Sequence, residues 1–225
     1  AIEVRLAVLL NAHQFRDARR AAEEVLQRSP QDIVAWGTLG DAALELGDYA
    51  LAAGAYQRMI DLKPNLRSYN RGAWLRWLSG DGEGAEELML QAAAAGHGEP
   101  RAFCLTQLGD IQFWRGRYTE ARQSFDAALQ AEPNYPAAQA SRGRLLLATG
   151  QTAAALADLS ASLATLPLTS TRASYIEALW AAGRDADAKE ELTRLAREGE
   201  REDPRTLALF YATHDLEHAR AVELA

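Results

Sequence analysis

Small and large apolar positions recur along this chain with a spacing close to 34 residues. The clearest copy spans residues 36–64, WGTLGDAALELGDYALAAGAYQRMIDLKP. Trp36, Leu39 and Gly40 lie at helical spacing in its first half, and Tyr49, Ala52 and Tyr56 do so in its second. Gly47 stands between them, the residue type that ends a helix in the left-handed conformation. Pro64 closes the stretch, because proline neither continues a helix nor lets its predecessor stay helical. The pattern predicts two antiparallel helices joined by a tight turn.

Sliding this pattern along the chain finds six more copies. The small residue near the start of each second helix is Ala18, Ala52, Ala85, Ala121, Ala155, Ala188 and Ala219. The matching turn residues are His13, Gly47, Gly80, Gly116, Gly150, Gly183 and His214, and prolines close the units at Pro30, Pro64, Pro133 and Pro167. The fourth copy carries Leu108, Gly109, Gly116, Tyr118, Ala121, Phe125 and Pro133. The fifth keeps Gly143, Gly150, Ala155 and Pro167 but places Thr152 and Leu159 in the aromatic slots. The sixth keeps Gly183 and Ala188. Small residues let paired helices approach, and large ones fill the gap to the next pair, so each unit buries its face only against a neighbour.

These residues and their spacing resemble the tetratricopeptide repeat, a 34-residue helix-turn-helix unit. The resemblance implies an all-α fold, a right-handed superhelical solenoid of about seven antiparallel helix pairs. We expect a single domain over 1–225, with units at approximately 1–32, 33–65, 66–98, 102–135, 136–169, 170–200 and 203–225, the last incomplete. Gly82 stands where Tyr49 and Tyr118 sit, which predicts a looser third turn. The run Ala95–Pro100, with two glycines and a proline, predicts a loop insertion or, alternatively, a hinge. The final unit shows no polar cap, which such arrays need, so the chain is expected to continue beyond Ala225 or to be capped by a partner.

In this family the first helix of each pair lines a concave surface along which partner peptides lie. The register places Asp41, then Arg67, Asn70, Arg71 and Trp74, then Gln107, Asp110 and Trp114, then Arg144, then Glu177, on that surface. Arg67 and Arg71 fall where chaperone-binding members hold a peptide's terminal carboxylate, a task that suits paired guanidinium forks. Those members also carry Lys and Asn in the two preceding units, where this chain has Glu3, Ala7, Gly37 and Thr38. The alternative is that Arg67 and Arg71 pair with Asp41 or Asp110. Trp74 is the better groove candidate and Trp77 the better core candidate.

Composition agrees with this reading and narrows it. Apolar residues make up 48% of the chain and charged residues 24%, with the apolar share weighted to Ala, which favours helices over strands. The net charge of -7 lacks the basic footprint of a nucleic-acid binder, and no apolar run is long enough to predict a membrane-inserted helix. Cys104 is the single cysteine, a small hydrophobe that forms no intrachain disulfide. The segment from His214 to His218 matches the H-x-x-E-H pattern of certain zinc peptidases. His214, however, falls on a turn position of the repeat, which separates the two imidazoles. Residues 80–84, GDGEG, lack the Lys-Ser/Thr of a phosphate loop and fall on a turn.

The expectation is therefore a non-enzymatic scaffold that binds a protein or peptide in its groove, with no cofactor and no metal. A regulatory or targeting arm of a larger enzyme, or a module that self-associates through open solenoid ends, are the alternatives. The compartment is left open, with a lean to the cytoplasm.

Overall fold

The computed structural model describes residues 2–225. Among them are fourteen helices and no strand: α1 Ile2–Asn11, α2 Phe15–Arg28, α3 Ile33–Glu45, α4 Tyr49–Leu62, α5 Leu66–Leu78, α6 Gly82–Ala94, α7 Gly98–Trp114, α8 Tyr118–Ala131, α9 Pro136–Ala148, α10 Thr152–Thr165, α11 Thr169–Ala181, α12 Asp185–Glu202, α13 Pro204–Thr213 and α14 His218–Leu224. The chain divides into two compact units, Ala1–Arg115 and Gly116–Ala225.

One turn chemistry recurs in both units. Gly47 N–H donates to the Leu44 carbonyl at 3.1 Å and Asp48 N–H to the Ala43 carbonyl at 2.8 Å, the double bond set that ends a helix on a left-handed residue. Gly47 has a φ of +78° there. The next residue caps the following helix in two copies: the Asp48 carboxylate accepts from Leu51 N–H at 3.2 Å and Asp81 from Gly84 N–H at 2.9 Å.

The third turn is as tight as the others, contrary to the loosening predicted from Gly82. Gly80 N–H reaches the Trp77 carbonyl at 3.0 Å and Asp81 N–H the Arg76 carbonyl at 2.9 Å. The missing side chain has a different use, since a Cβ on Gly82 would stand 2.9 Å from Arg115 Cδ. The Ala95–Pro100 run is shorter as a loop than predicted. α7 begins at Gly98, with Pro100 in its first turn, where its missing N–H costs nothing. That run also lies inside the first unit, with α6 and α7 packed together on either side of it.

The last turn departs from the register. His214 ends α13 with a φ of -102°, and the left-handed residue is Asp215 at +60°. The link is longer by one residue, so the buried alanine of α14 is Ala221 and Ala219 is exposed.

In the first unit, α1/α2, α3/α4 and α5/α6 are antiparallel pairs followed by α7. Leu6, Ala21, Ala22, Ala35, Leu39 and Ala55 form one core cluster, and Ala43, Ala52, Tyr56, Met59 and Leu75 a second. Gly40 is the contact point, because a Cβ there would lie 2.3 Å from the Tyr56 ring. Trp36 is half-buried and its indole N–H donates to the Pro30 carbonyl at 2.9 Å, tying the helix to the closing proline of the preceding pair. Tyr49 points outward, 59% exposed.

The second unit holds α8, then the pairs α9/α10, α11/α12 and α13/α14. Its cores are Leu146, Ala155, Leu159 and Ala178, and a larger set centred on Ile176, Leu179, Leu195, Leu207, Phe210 and Tyr211. Each fully buried Leu or Phe contributes about 1.5–3 kcal/mol. Two arginines replace expected apolar residues. Arg142 takes the slot of Leu39 and Leu108, and its guanidinium bridges Asp158 (2.6 and 2.9 Å) and Asp126 (2.8 Å). Arg172 takes the slot of Trp36, is 8% exposed, and is held by Glu191 and Glu198.

Candidate functional site

The first unit contains a groove of about 940 Å³. Its walls are α1, α3, the α4–α5 turn with the start of α5, and the α6–α7 turn. Glu3, Ala7, Gly37 and Thr38, the residues at groove positions in the first two repeats, all line it, as do Asp41, Arg67 and Arg71. Gly37 makes the floor: a Cβ there would sit 3.3 Å from Met59 Sδ and 3.7 Å from Arg71 Cζ. Ile33, Val34, Met59 and Leu66 supply apolar surface.

Arg71 is fixed by a bidentate pair. Its Nε and Nη2 donate to the two oxygens of Asp41, each at 2.8 Å, and the Tyr56 hydroxyl donates to Asp41 Oδ1 at 2.9 Å. Residues from α3, α4 and α5 thus meet at one carboxylate. Burial alone would favour loss of the Arg71 proton, but its hydrogen bond to Asp41 and that carboxylate's charge outweigh burial and raise the guanidinium's pKa. Burial, and then the Asp41 charge, push the Tyr56 phenol well above its usual range. Arg71 also donates to the Arg67 carbonyl at 3.4 Å.

Of the two outcomes open for the arginines, the pairing with Asp41 is therefore the one found for Arg71. Arg67 is different: it is exposed, and no carboxylate among the described residues lies within ion-pair distance of it. Asn70 is half-buried on α5, and Trp74 is 44% exposed on the same helix; neither lines the groove. Gln107, Asp110 and Trp114 lie on α7, with Trp114 67% exposed and packed edge-on against Phe113. Arg144 and Glu177 belong to the second unit. Arg144 donates to Ser141 Oγ at 2.9 Å, and Glu177 Oε1 lies 2.9 Å from His214 Nε2.

Reasoning from first helices alone missed Lys63 and His97, which also line the groove. Lys63 caps the C-terminus of α4, and His97 precedes α7. The only sequence sign of either is the glycine-rich break at 96–98. The two histidines of the H-x-x-E-H segment go to separate carboxylates, His214 to Glu177 and His218 Nε2 to Asp215 at 2.6 Å. Among the described residues no helix is long and apolar enough to cross a membrane.

The helix pairs, their shared turn and the small-for-large interlock define an α-helical repeat array. Tetratricopeptide repeat family models match residues 8–67 and 115–173, and the chain belongs to that family. It is similar to tetratricopeptide repeat protein 33 of Xenopus laevis, with 37% identity over 92 residues, or 40% of this chain and 31% of that protein. The mouse protein of that name (Mus musculus) is 39% identical over 62 residues, covering 28% of this chain and 24% of its own length. The matches thus span less than a third of those relatives. Among solved structures, Pseudomonas aeruginosa pilF superposes with a TM-score of 0.77 at 16% identity, over 96% of this chain and 95% of that one. PilW, a type IV pilus biogenesis factor, gives 0.74 at 16%, over 90% and 94%. At these identities the likeness is one of fold, the tetratricopeptide solenoid.

Proposed function

We propose that this chain is a non-enzymatic scaffold that holds a segment of a partner protein in the groove of its first unit. The tetratricopeptide fold supports a protein-interaction scaffold in general, since stacked helix pairs present wide binding surfaces of this kind. The observation that carries the finer reading is the groove itself. Its floor is kept bare by Gly37, its wall is stiffened by the Tyr56–Asp41–Arg71 cluster, and Arg67 stands free at its edge. A rigid concavity loses little entropy when it binds, which favours a pre-formed site. Trp74, exposed on the same helix as Arg67, extends the contact surface with a residue type that dominates interaction hot spots.

The test is a groove-filling substitution. Ala7 is exposed on α1 and lines the groove, so Ala7→Trp obstructs it without disturbing the core. Peptides selected from a random display library against the full chain should lose at least about tenfold in affinity, or about 1.4 kcal/mol, on the variant. Equal affinity for both proteins would remove the groove as the binding site.

A further inference from the structure

We infer that the groove takes an acidic segment, recognised through an internal Asp or Glu side chain next to an apolar one. This rests on the groove being the binding site. Two cations, Lys63 and Arg67, flank the α4–α5 turn on one wall. Both are exposed, and neither has a carboxylate partner among the described residues. Of the two arginines that line the groove, Arg71 is ion-paired with Asp41 while Arg67, beside Lys63 at the groove edge, is not.

Their positions are fixed from below. The Asn65 side chain accepts from Arg67 N–H at 2.9 Å and Ser68 N–H at 3.2 Å, while Ser68 Oγ donates to the Lys63 carbonyl at 2.9 Å. The turn carrying both cations is therefore hydrogen-bonded shut, and only the side-chain ends are left to adapt. Across the groove the exposed acid is Glu3 on α1, and Asp41 is already neutralised by Arg71. The groove thus carries a surplus positive charge in a chain whose net charge is -7. A carboxylate held there leaves water for a site with two donors, and its neighbour reaches the Ile33, Val34 and Met59 surface.

This differs from capture of a chain terminus by Arg67 and Arg71 together. The Arg71 fork is spent on Asp41 through both of its hydrogen bonds, so it offers no second fork to a terminal carboxylate. A side-chain carboxylate within the segment needs only the Lys63–Arg67 pair, and the free terminus is dispensable.

The experiment screens the full chain against three randomised decapeptide libraries, all amidated at the C-terminus, with Glu, Gln or Lys fixed at the centre. The Glu library should be enriched over the Gln library, with a bulky apolar residue recurring near the fixed position. Selected peptides should bind about tenfold more weakly to Lys63→Gln/Arg67→Gln and weaker still to the double Glu variant. Binding should also fall as salt rises from about 50 to about 300 mM. Thermal unfolding of each variant checks that the fold is intact. Equal enrichment of Glu and Gln peptides, with binding still lost in Ala7→Trp, would overturn the acidic preference and leave the groove standing. Binding that survives Ala7→Trp, or no enrichment from any library, would overturn the groove itself and the inference with it. Enrichment only from a fourth library, run alongside with a free C-terminal carboxylate, would replace this inference by terminal capture.

Discussion

Arg71 on α5 and Asp41 on α3 face each other through two parallel hydrogen bonds of 2.8 Å, with Tyr56 donating to the same carboxylate. The pair joins consecutive first helices at the edge of the groove, with side chains 32% and 27% exposed. A charge-assisted bond in that setting contributes more than one in water, and its partner is left uncompensated when one member is removed. Asp41→Ala should therefore lower the unfolding free energy by about 2–3 kcal/mol. The surface pair Arg20–Asp17, 71% and 52% exposed, is the control, and Asp17→Ala should cost under about 1 kcal/mol. Urea titrations followed by circular dichroism measure both, and equal losses would remove the structural role given to Asp41.

The helix approach at Gly40 makes a steric prediction. A Cβ would fall 2.3 Å from Tyr56 Cε1, and at the matching Gly143 it would fall 2.6 Å from Leu159 Cγ. Gly40→Ala should destabilise by about 1–3 kcal/mol, the cost of overpacking a filled core. Gly54 is helical, exposed and has nothing within 4 Å of its missing Cβ, so Gly54→Ala should stabilise by about 0.5–1 kcal/mol. Opposite signs in thermal unfolding are the expected result.

Arg142 predicts a non-additive pair of substitutions. Arg142→Leu restores the residue type at Leu39 and Leu108 but strips Asp158, which is only 14% exposed, of its bidentate partner. The single variant should lose about 3 kcal/mol, and adding Asp158→Ala should recover much of that loss. A double variant as unstable as the sum of the singles would contradict this account.

Alkaline pH should loosen the first unit through Cys104. Burial pushes its thiol up to about 11, against an ordinary value of 9.0. In the unfolded chain the thiol ionises near its ordinary value, while the folded thiol stays protonated. The folded state then binds more protons, and stability is complete below pH ~9 and falls as pH rises towards ~11. The Tyr56 phenol, also raised, adds a loss of the same sign above pH ~10. Stability against pH should decline by up to about 2–3 kcal/mol over that range, and Cys104→Ala should flatten the part below pH ~10.

Much of this protein is legible as a linear pattern because its contacts are short in range. Each alanine from Ala18 to Ala188 that marks a second helix is fully buried, and five of the seven turn positions are glycines with positive φ, because the same packing problem is solved once per unit. Where the solution changed, the pattern misled. The last turn gained a residue and moved its buried alanine from 219 to 221, and Arg142 and Arg172 entered slots that elsewhere hold Leu and Trp.

The sequence determined the helix pairs and most of their turns, and offered a candidate face on the first helices, because 3.6-residue periodicity and turn chemistry are local properties. Tertiary structure decided which charges on that face remain available. Arg67 and Arg71 are one helical turn apart and look alike in the chain, yet only the packing of α3 beside α5 gives Asp41 to one of them. The same packing brings Lys63, from the end of a second helix, to the side of Arg67 at the groove. That ion pair joins residues 30 positions apart on separate helices, beyond the reach of any local pattern.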